Sequence, residues 1–153
     1  MNQIQLNLSK RLFNEAYFAD LFDYSCRYQV FYGGAGSGKS HYVFQKAIIK
    51  GLNQQRKILV IRKVARTLKD SCFQMTIDTL SKFKILQLCK INYSTFTIEF
   101  PNGTQFLYKG LDDSEKIKSI AGITDIIIEE ATEITQDEFT QLDLRLRANV
   151  DNL

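Results

Sequence analysis

Tyr28-Gln29-Val30-Phe31-Tyr32-Gly33-Gly34-Ala35-Gly36-Ser37-Gly38-Lys39-Ser40 is the stretch on which the reading of this chain turns. Gly33, Gly38, Lys39 and Ser40 fit G-x-x-x-x-G-K-[ST], the pattern of a phosphate-cradling P-loop. A β-branched and aromatic run precedes the loop and an amphipathic stretch follows it, so a strand over 28–32 and a helix from Lys39 are expected to flank it. A loop that wraps a polyphosphate must aim successive backbone N–H groups inward, which needs left-handed backbone angles and room that side chains would fill. Four glycines in six positions (33, 34, 36, 38) meet both needs. Gly33, Gly34, Ala35, Gly36, Ser37, Gly38, Lys39 and Ser40 are therefore the candidate ATP-binding residues. Lys39 is placed to reach the β- and γ-phosphates and the Ser40 hydroxyl to hold Mg²⁺. His41, which follows directly, is read as a helix residue near the phosphates.

The apolar pattern after the loop continues through Val43, Phe44, Ala47, Ile48 and Leu52, with Lys46 and Lys50 off the stripe and Gly51 as a stop signal. Upstream, Leu12, Phe13, Ala16, Tyr17 and Leu21 have helical spacing over 9–24, and their aromatics are candidates to pack the core or to cover an adenine ring. Lys57–Lys63 is a short apolar run with basic ends, typical of a strand buried on both faces. Leu68, Cys72, Met75, Thr79, Leu80 and Phe83 outline another amphipathic helix. Residues 91–100 and 104–109 alternate about Pro101-Asn102-Gly103, which reads as a β-hairpin. Asp112–Ser119 is a polar link. Thr135 and Glu138 form a capping box, with Ile134 and Phe139 at the staple positions, so a helix is expected from there to about Arg147.

Composition bounds the class. The chain has 153 residues, one domain's worth, and no apolar run reaches the ~18 residues of a membrane span. The polar start, with Lys10 and Arg11 before Leu12 and Phe13, is not expected to be a signal peptide. Cys26, Cys72 and Cys89 are widely spaced, and with a single histidine they make no recognisable zinc site, so reduced, buried cysteines are expected. Charge is uneven: residues 1–90 carry 15 Lys+Arg against 5 Asp+Glu, and residues 91–153 carry 5 against 12. The basic run Arg56, Lys57, Arg62, Lys63, Arg66 and Lys69 fits either a phosphate backbone or a solvated face.

A P-loop that hydrolyses ATP needs two carboxylates at the end of a neighbouring buried strand, one for the metal and one for the attacking water. The apolar strand 123–128 ends in Glu129-Glu130. Glu129 takes the metal-side role and Glu130 the catalytic one.

Together, Gly33–Ser40, the segment 61–71, Tyr108–Asp113, Lys116–Ser119 and Ile128–Ile134 resemble the ATPase domain of phage terminase large subunits (PBSX-like). The likeness runs from about residue 10 to 150. It implies an α/β P-loop NTPase of the additional-strand, RecA-like class, with a mostly parallel central sheet flanked by helices, plus a β-hairpin. It also implies an ATPase motor, ATP and Mg²⁺ as cofactors, and double-stranded DNA as the translocated substrate. The implied partners are a portal protein, a terminase small subunit and further copies in a homo-oligomeric ring, with no membrane. The implied location is the bacterial host cytoplasm, transiently on the procapsid. Lys118 lies where relatives can place a basic residue that reaches a neighbouring subunit's ATP, which makes it a catalytic candidate in trans.

Two departures stand out. Ala35 occupies a position where many relatives carry arginine. The chain also stops at Leu153, so residues 1–153 are expected to form the N-terminal part of the ATPase domain, with the fold incomplete at its C-terminus. In additional-strand folds the next strand inserts between the P-loop strand and the acidic strand. Its place is expected to be a gap, and the chain alone to be marginally stable and weakly active. The family's metal-dependent nuclease domain is not expected among these residues. A helicase- or recombinase-like ATPase, and a nucleotide-binding assembly module with little activity of its own, remain alternative readings.

Overall fold

The computed structural model describes residues 6–113 and 117–147. Strands β1 (Lys57–Arg62), β2 (Lys90–Asn92), β3 (Thr97–Glu99), β4 (Gln105–Gly110) and β5 (Asp125–Ile128) form one sheet in the order β2-β3-β4-β1-β5. The three strands β4, β1 and β5 are parallel, and β2, β3 and β4 are joined antiparallel. Helices α1 (Lys39–Asn53), α2 (Gln74–Lys82) and α3 (Gln136–Asp143) flank this sheet. The expected mixed α/β architecture is present.

β1 organises the layers. Ile58, Leu59, Val60 and Ile61 are all fully buried because the strand is covered on both faces. Ile58 and Val60 join a core with Phe44 and Ile48 of α1 and Ile77 and Leu80 of α2. Leu59 and Ile61 join a second, smaller core with Ile117, Ile123 and Leu142 of α3. The period of two along the strand therefore divides the hydrophobic stabilisation between two helical layers.

The hairpin turn is tied to α1. Gly103 donates to the Phe100 carbonyl at 2.9 Å, with a left-handed φ of 84° that favours glycine. Asn102 Nδ2 and Thr104 Oγ1 then donate to the Gly51 carbonyl at 2.8 and 2.6 Å, satisfying a carbonyl that the end of α1 leaves open. Gly51 itself is no stop. The helix runs on to Asn53, and a Cβ at Gly51 would sit 2.7 Å from Thr104 Cγ2, so close packing explains this glycine.

Several sequence expectations change. No strand forms over 28–32: Val30 is 83% and Tyr32 90% exposed, and the run finds no ladder partner among the described residues. Residues 9–24 form two short 3-10 turns, Lys10–Leu12 and Glu15–Asp20, because the Ser9 and Asn14 side chains each cap a new start. Tyr17 stacks on Tyr42 at 4.9 Å, a core contact. The helix expected over 68–83 begins with a π-type turn, Lys69–Phe73, before α2. Residues 93–96 turn between β2 and an antiparallel β3 that ends at Glu99, with Phe96 at φ 49°. The capping box of α3 is formed as expected, but the helix ends at Asp143, short of Arg147. Of the cysteines expected to be buried, Cys72 is buried, Cys89 is half-buried and Cys26 is exposed. The polar link Asp112–Ser119 lies partly outside the described residues.

The basic run 56–69 is largely absorbed by the fold. Arg56 is 3% exposed and bonds Gln54, Lys57 bonds the Ala121 carbonyl, Arg62 bonds Ser71 at 3.2 Å, and Lys63 pairs with Glu138. These four side chains bond within the fold, so for them neither a phosphate-binding face nor a simply solvated one is what the structure shows.

Gly110, at the end of β4, lies where Asp112 accepts from the Ala65 amide. A Cβ there would stand 2.1 Å from Asp112 Oδ1 and 2.3 Å from Ala65 N. Gly110→Ala should therefore destabilise the protein by about 1–3 kcal/mol through overpacking, read as a lower urea midpoint. An unchanged midpoint would show that this corner has room to spare.

Candidate functional site

The glycine loop delivers the N-terminus of α1 without a side-chain cap. Gly38, the N-cap residue, has φ 80° and ψ 5°, Gly36 has φ 75°, and the first helical turn holds no acid. The unpaired N–H groups of that turn and the positive end of the helix dipole therefore stay available to an anion, with the Lys39 ammonium beside them. Ser37 Oγ, in the same loop, is buried without a hydrogen-bond partner among the described residues. An orphaned hydroxyl in a glycine-rich loop at a helix N-terminus is a feature that a phosphate would satisfy.

Opposite the loop, β5 supplies the acids. The Glu129 amide donates to the Ile61 carbonyl at 2.9 Å, carrying the β1–β5 ladder just past the strand. Ser40 Oγ donates to Glu129 Oε1 at 2.5 Å, joining positions 89 residues apart. Glu130 is exposed and held at φ 56°, ψ 54°, a left-handed backbone unusual for a residue with a side chain. Its carbonyl accepts from Glu133 N at 2.9 Å, closing the turn that follows β5.

A cavity of about 930 Å³ collects these groups. Gly33, Lys39, Ser40, Glu129 and Glu130 line it, as do the unpaired run 28–32 and the outer side of β5. The run 28–32, expected to face β5 as a strand across a gap, lines this cavity as irregular chain. Gly34, Ala35, Gly36, Ser37, Gly38 and His41 do not line this cavity, and His41 points to solvent. Lys118 is elsewhere. It lines a separate cavity of about 370 Å³ with Arg145 and Arg147, and Arg145 donates to its carbonyl at 3.0 Å.

An oxygen pair such as Ser40 and Glu129 suits Mg²⁺, which takes one or two protein oxygens and completes its shell with water and phosphate. Among the described residues no cluster of three or more His, Cys, Asp or Glu offers a dedicated metal cage.

Sequence reasoning missed the basic floor of the cavity. Lys46 and Lys50 look solvated by helical spacing, yet Lys46 is 6% exposed and donates to the Asp20 and Asp23 carbonyls at 2.6 Å each. Burial pushes its pKa down. Lys50 bonds Asp125 at 2.5 Å. Their i, i+4 spacing is the one signal that could have placed them together.

The comparisons with known proteins agree with one another. The family model described as phage terminase large subunit matches residues 25–153. The chain is 34% identical over 127 residues to the PBSX phage terminase large subunit of Bacillus subtilis (strain 168), covering 83% of this chain and 29% of that protein. It is 30% identical over 111 residues to the terminase large subunit of Bacillus phage SPP1, covering 69% of this chain and 26% of that one. The chain thus spans under a third of these relatives' length.

The run leading into the loop is clipped to α3: Tyr28 Oη and Arg27 donate to Asp143 Oδ1 at 2.7 and 2.9 Å. These bonds hold the Asp143 carboxyl below its ordinary value, the tyrosine hydroxyl contributing most. A depressed carboxyl contributes stability that is present above its unfolded pKa and lost as pH falls through the folded one. Thermal midpoints should therefore fall on acidification below about pH 4, and Asp143→Asn should flatten part of that fall. A variant with the same acid slope as the wild type would remove the clip from the account.

Proposed function

The chain belongs to the family of phage terminase large subunits, and from that membership we propose that it is the ATP-binding and ATP-hydrolysing part of a motor that drives double-stranded DNA into a procapsid. One observation carries the reading: the bond from Ser40 to Glu129. A glycine-rich surface turn and two solvated strand-end acids would have no reason to meet. A phosphate loop and the acids that complete it must.

In this reading the uncapped first turn of α1 and the Lys39 ammonium hold the triphosphate. Ser40 and Glu129 hold Mg²⁺, whose charge would offset that of the β- and γ-phosphates. Glu130 accepts the proton of the attacking water, a role worth about 10²–10⁴-fold. Lys118 acts in trans, since its cavity is separate from its own chain's loop. A portal protein, a terminase small subunit and further copies in a ring are proposed as partners, in the host cytoplasm and on the procapsid.

A second reading, a nucleotide-binding assembly module with little turnover by itself, is favoured by one feature. Among the described residues the run 28–32 has no strand partner, and the outer side of β5 faces the open cavity. An exposed sheet edge beside the acids leaves them less firmly held than a paired one. For residues 1–153 alone we propose that nucleotide binds and is hydrolysed slowly.

Lys39→Ala should abolish most nucleotide binding in a titration of the folded variant, by removing a charge-assisted phosphate contact. Glu130→Gln, placed in the full-length assembled subunit, should retain ATP and cut turnover by about 10²-fold or more. Normal turnover in that variant would overturn the assignment of Glu130.

A further inference from the structure

The glycine loop is also held from a second direction, by the N-terminal segment. Gln45 Nε2 donates to the Leu12 carbonyl at 2.7 Å, and Lys46 grips the carbonyls of Asp20 and Asp23. These bonds fix the backbone around Asn14 relative to α1, the helix that the loop begins. Asn14 has two jobs there. Its Oδ1 accepts from the Ala16 amide at 3.0 Å, capping the turn Glu15–Asp20, and its Nδ2 donates to the Ser37 carbonyl at 3.2 Å. The orientation of the carboxamide is dictated by its neighbours, since a backbone amide can only donate and a carbonyl can only accept.

The second bond has a geometric consequence. Across a trans peptide the carbonyl of one residue and the N–H of the next point in opposite directions. A donor that holds the Ser37 carbonyl outward therefore turns the Gly38 N–H inward, toward the concave side of the loop. Gly38 takes φ 80°, and a Cβ there would lie 3.1 Å from Asn14 Nδ2. Glycine thus permits both the backbone turn and the close approach of the amide.

We propose that Asn14 is a positioning residue for the phosphate cradle: its carboxamide pins the Ser37–Gly38 peptide so that the Gly38 N–H is aimed at the phosphate before nucleotide arrives. The inference rests on the nucleotide-binding reading and names a residue outside the loop motif. Preorganisation of this kind raises affinity because the donor need not be ordered on binding.

Asn14→Ser separates the two jobs. Serine retains an N-cap oxygen of similar quality, but its side chain is too short to reach the Ser37 carbonyl, and no charge changes. The full chain and this variant would be titrated with Mg-ATP and with inorganic tripolyphosphate, while the Gly38 amide is followed by ¹H–¹⁵N NMR. Asn14 is exposed, so the thermal midpoint should hold. Affinity should fall about fivefold to tenfold for both ligands, and the ligand-induced shift of the Gly38 amide should shrink. A lower midpoint with wild-type affinity and a wild-type Gly38 shift would make Asn14 a cap alone and overturn the inference. Absence of binding by the wild type would remove the nucleotide reading and this inference together, whereas wild-type binding with no change in Asn14→Ser removes only the inference.

Discussion

The bond from the Glu129 amide to the Ile61 carbonyl joins residues far apart in sequence, and the geometry of the site depends on it. β1 pairs in parallel with β4 on one side and β5 on the other, so it fixes the height of both. With Ile58 opposite Asp125 and Ile61 opposite Ile128, the acids emerge one step beyond the sheet, level with the start of α1. A slip of one residue would turn the buried side chains of β5 to the other face and carry Glu129 away from Ser40. The site depends on that register, and the register depends on β1 being buried on both faces.

The N-terminal segment and α1 form the other half of the frame. Tyr17 on Tyr42, Lys46 on two backbone carbonyls and Gln45 on a third bind the segment to the helix that carries Lys39 and Ser40. Burying an ammonium is expensive unless its donors are matched, and here the carbonyls of Asp20 and Asp23 and the Tyr24 ring at 5.1 Å supply the match. Burial also pushes the pKa of the neighbouring Tyr24 and Tyr42 hydroxyls up to about 12.

Much of this was legible in the sequence, for identifiable reasons. A long apolar stripe, an uninterrupted apolar strand, an Asn-Gly turn and a capping box each carry their own local physics, and α1, β1, the hairpin turn and the start of α3 follow from them. The motif Gly33–Ser40 and the pair Glu129-Glu130 also point to each other through a chemistry that needs both. What failed depended on neighbours. The run 28–32 has strand composition, but a strand exists only with a partner, and none is present among the described residues. Residues 9–24 have helical spacing, yet Ser9 and Asn14 offer the backbone better local bonds than a continuing helix. The basic run 56–69 looked like an open surface because charge pattern does not reveal that the Ala121 carbonyl, Gln54, Ser71 and Glu138 come within bonding reach in the fold. Cys26 looked like its two siblings because burial is a property of the neighbourhood rather than of the residue.

The central claim is that Ser40 and Glu129 work as one unit, and a double-mutant cycle tests it most directly. The Mg²⁺ dependence of nucleotide affinity would be measured for the wild type, Ser40→Ala, Glu129→Gln and the double variant. Side chains in contact show coupling of about 0.5–3 kcal/mol, so the double variant should lose clearly less than the two single losses added together. Strict additivity would mean that the two groups act apart, and that their meeting in the fold has no part in holding the metal.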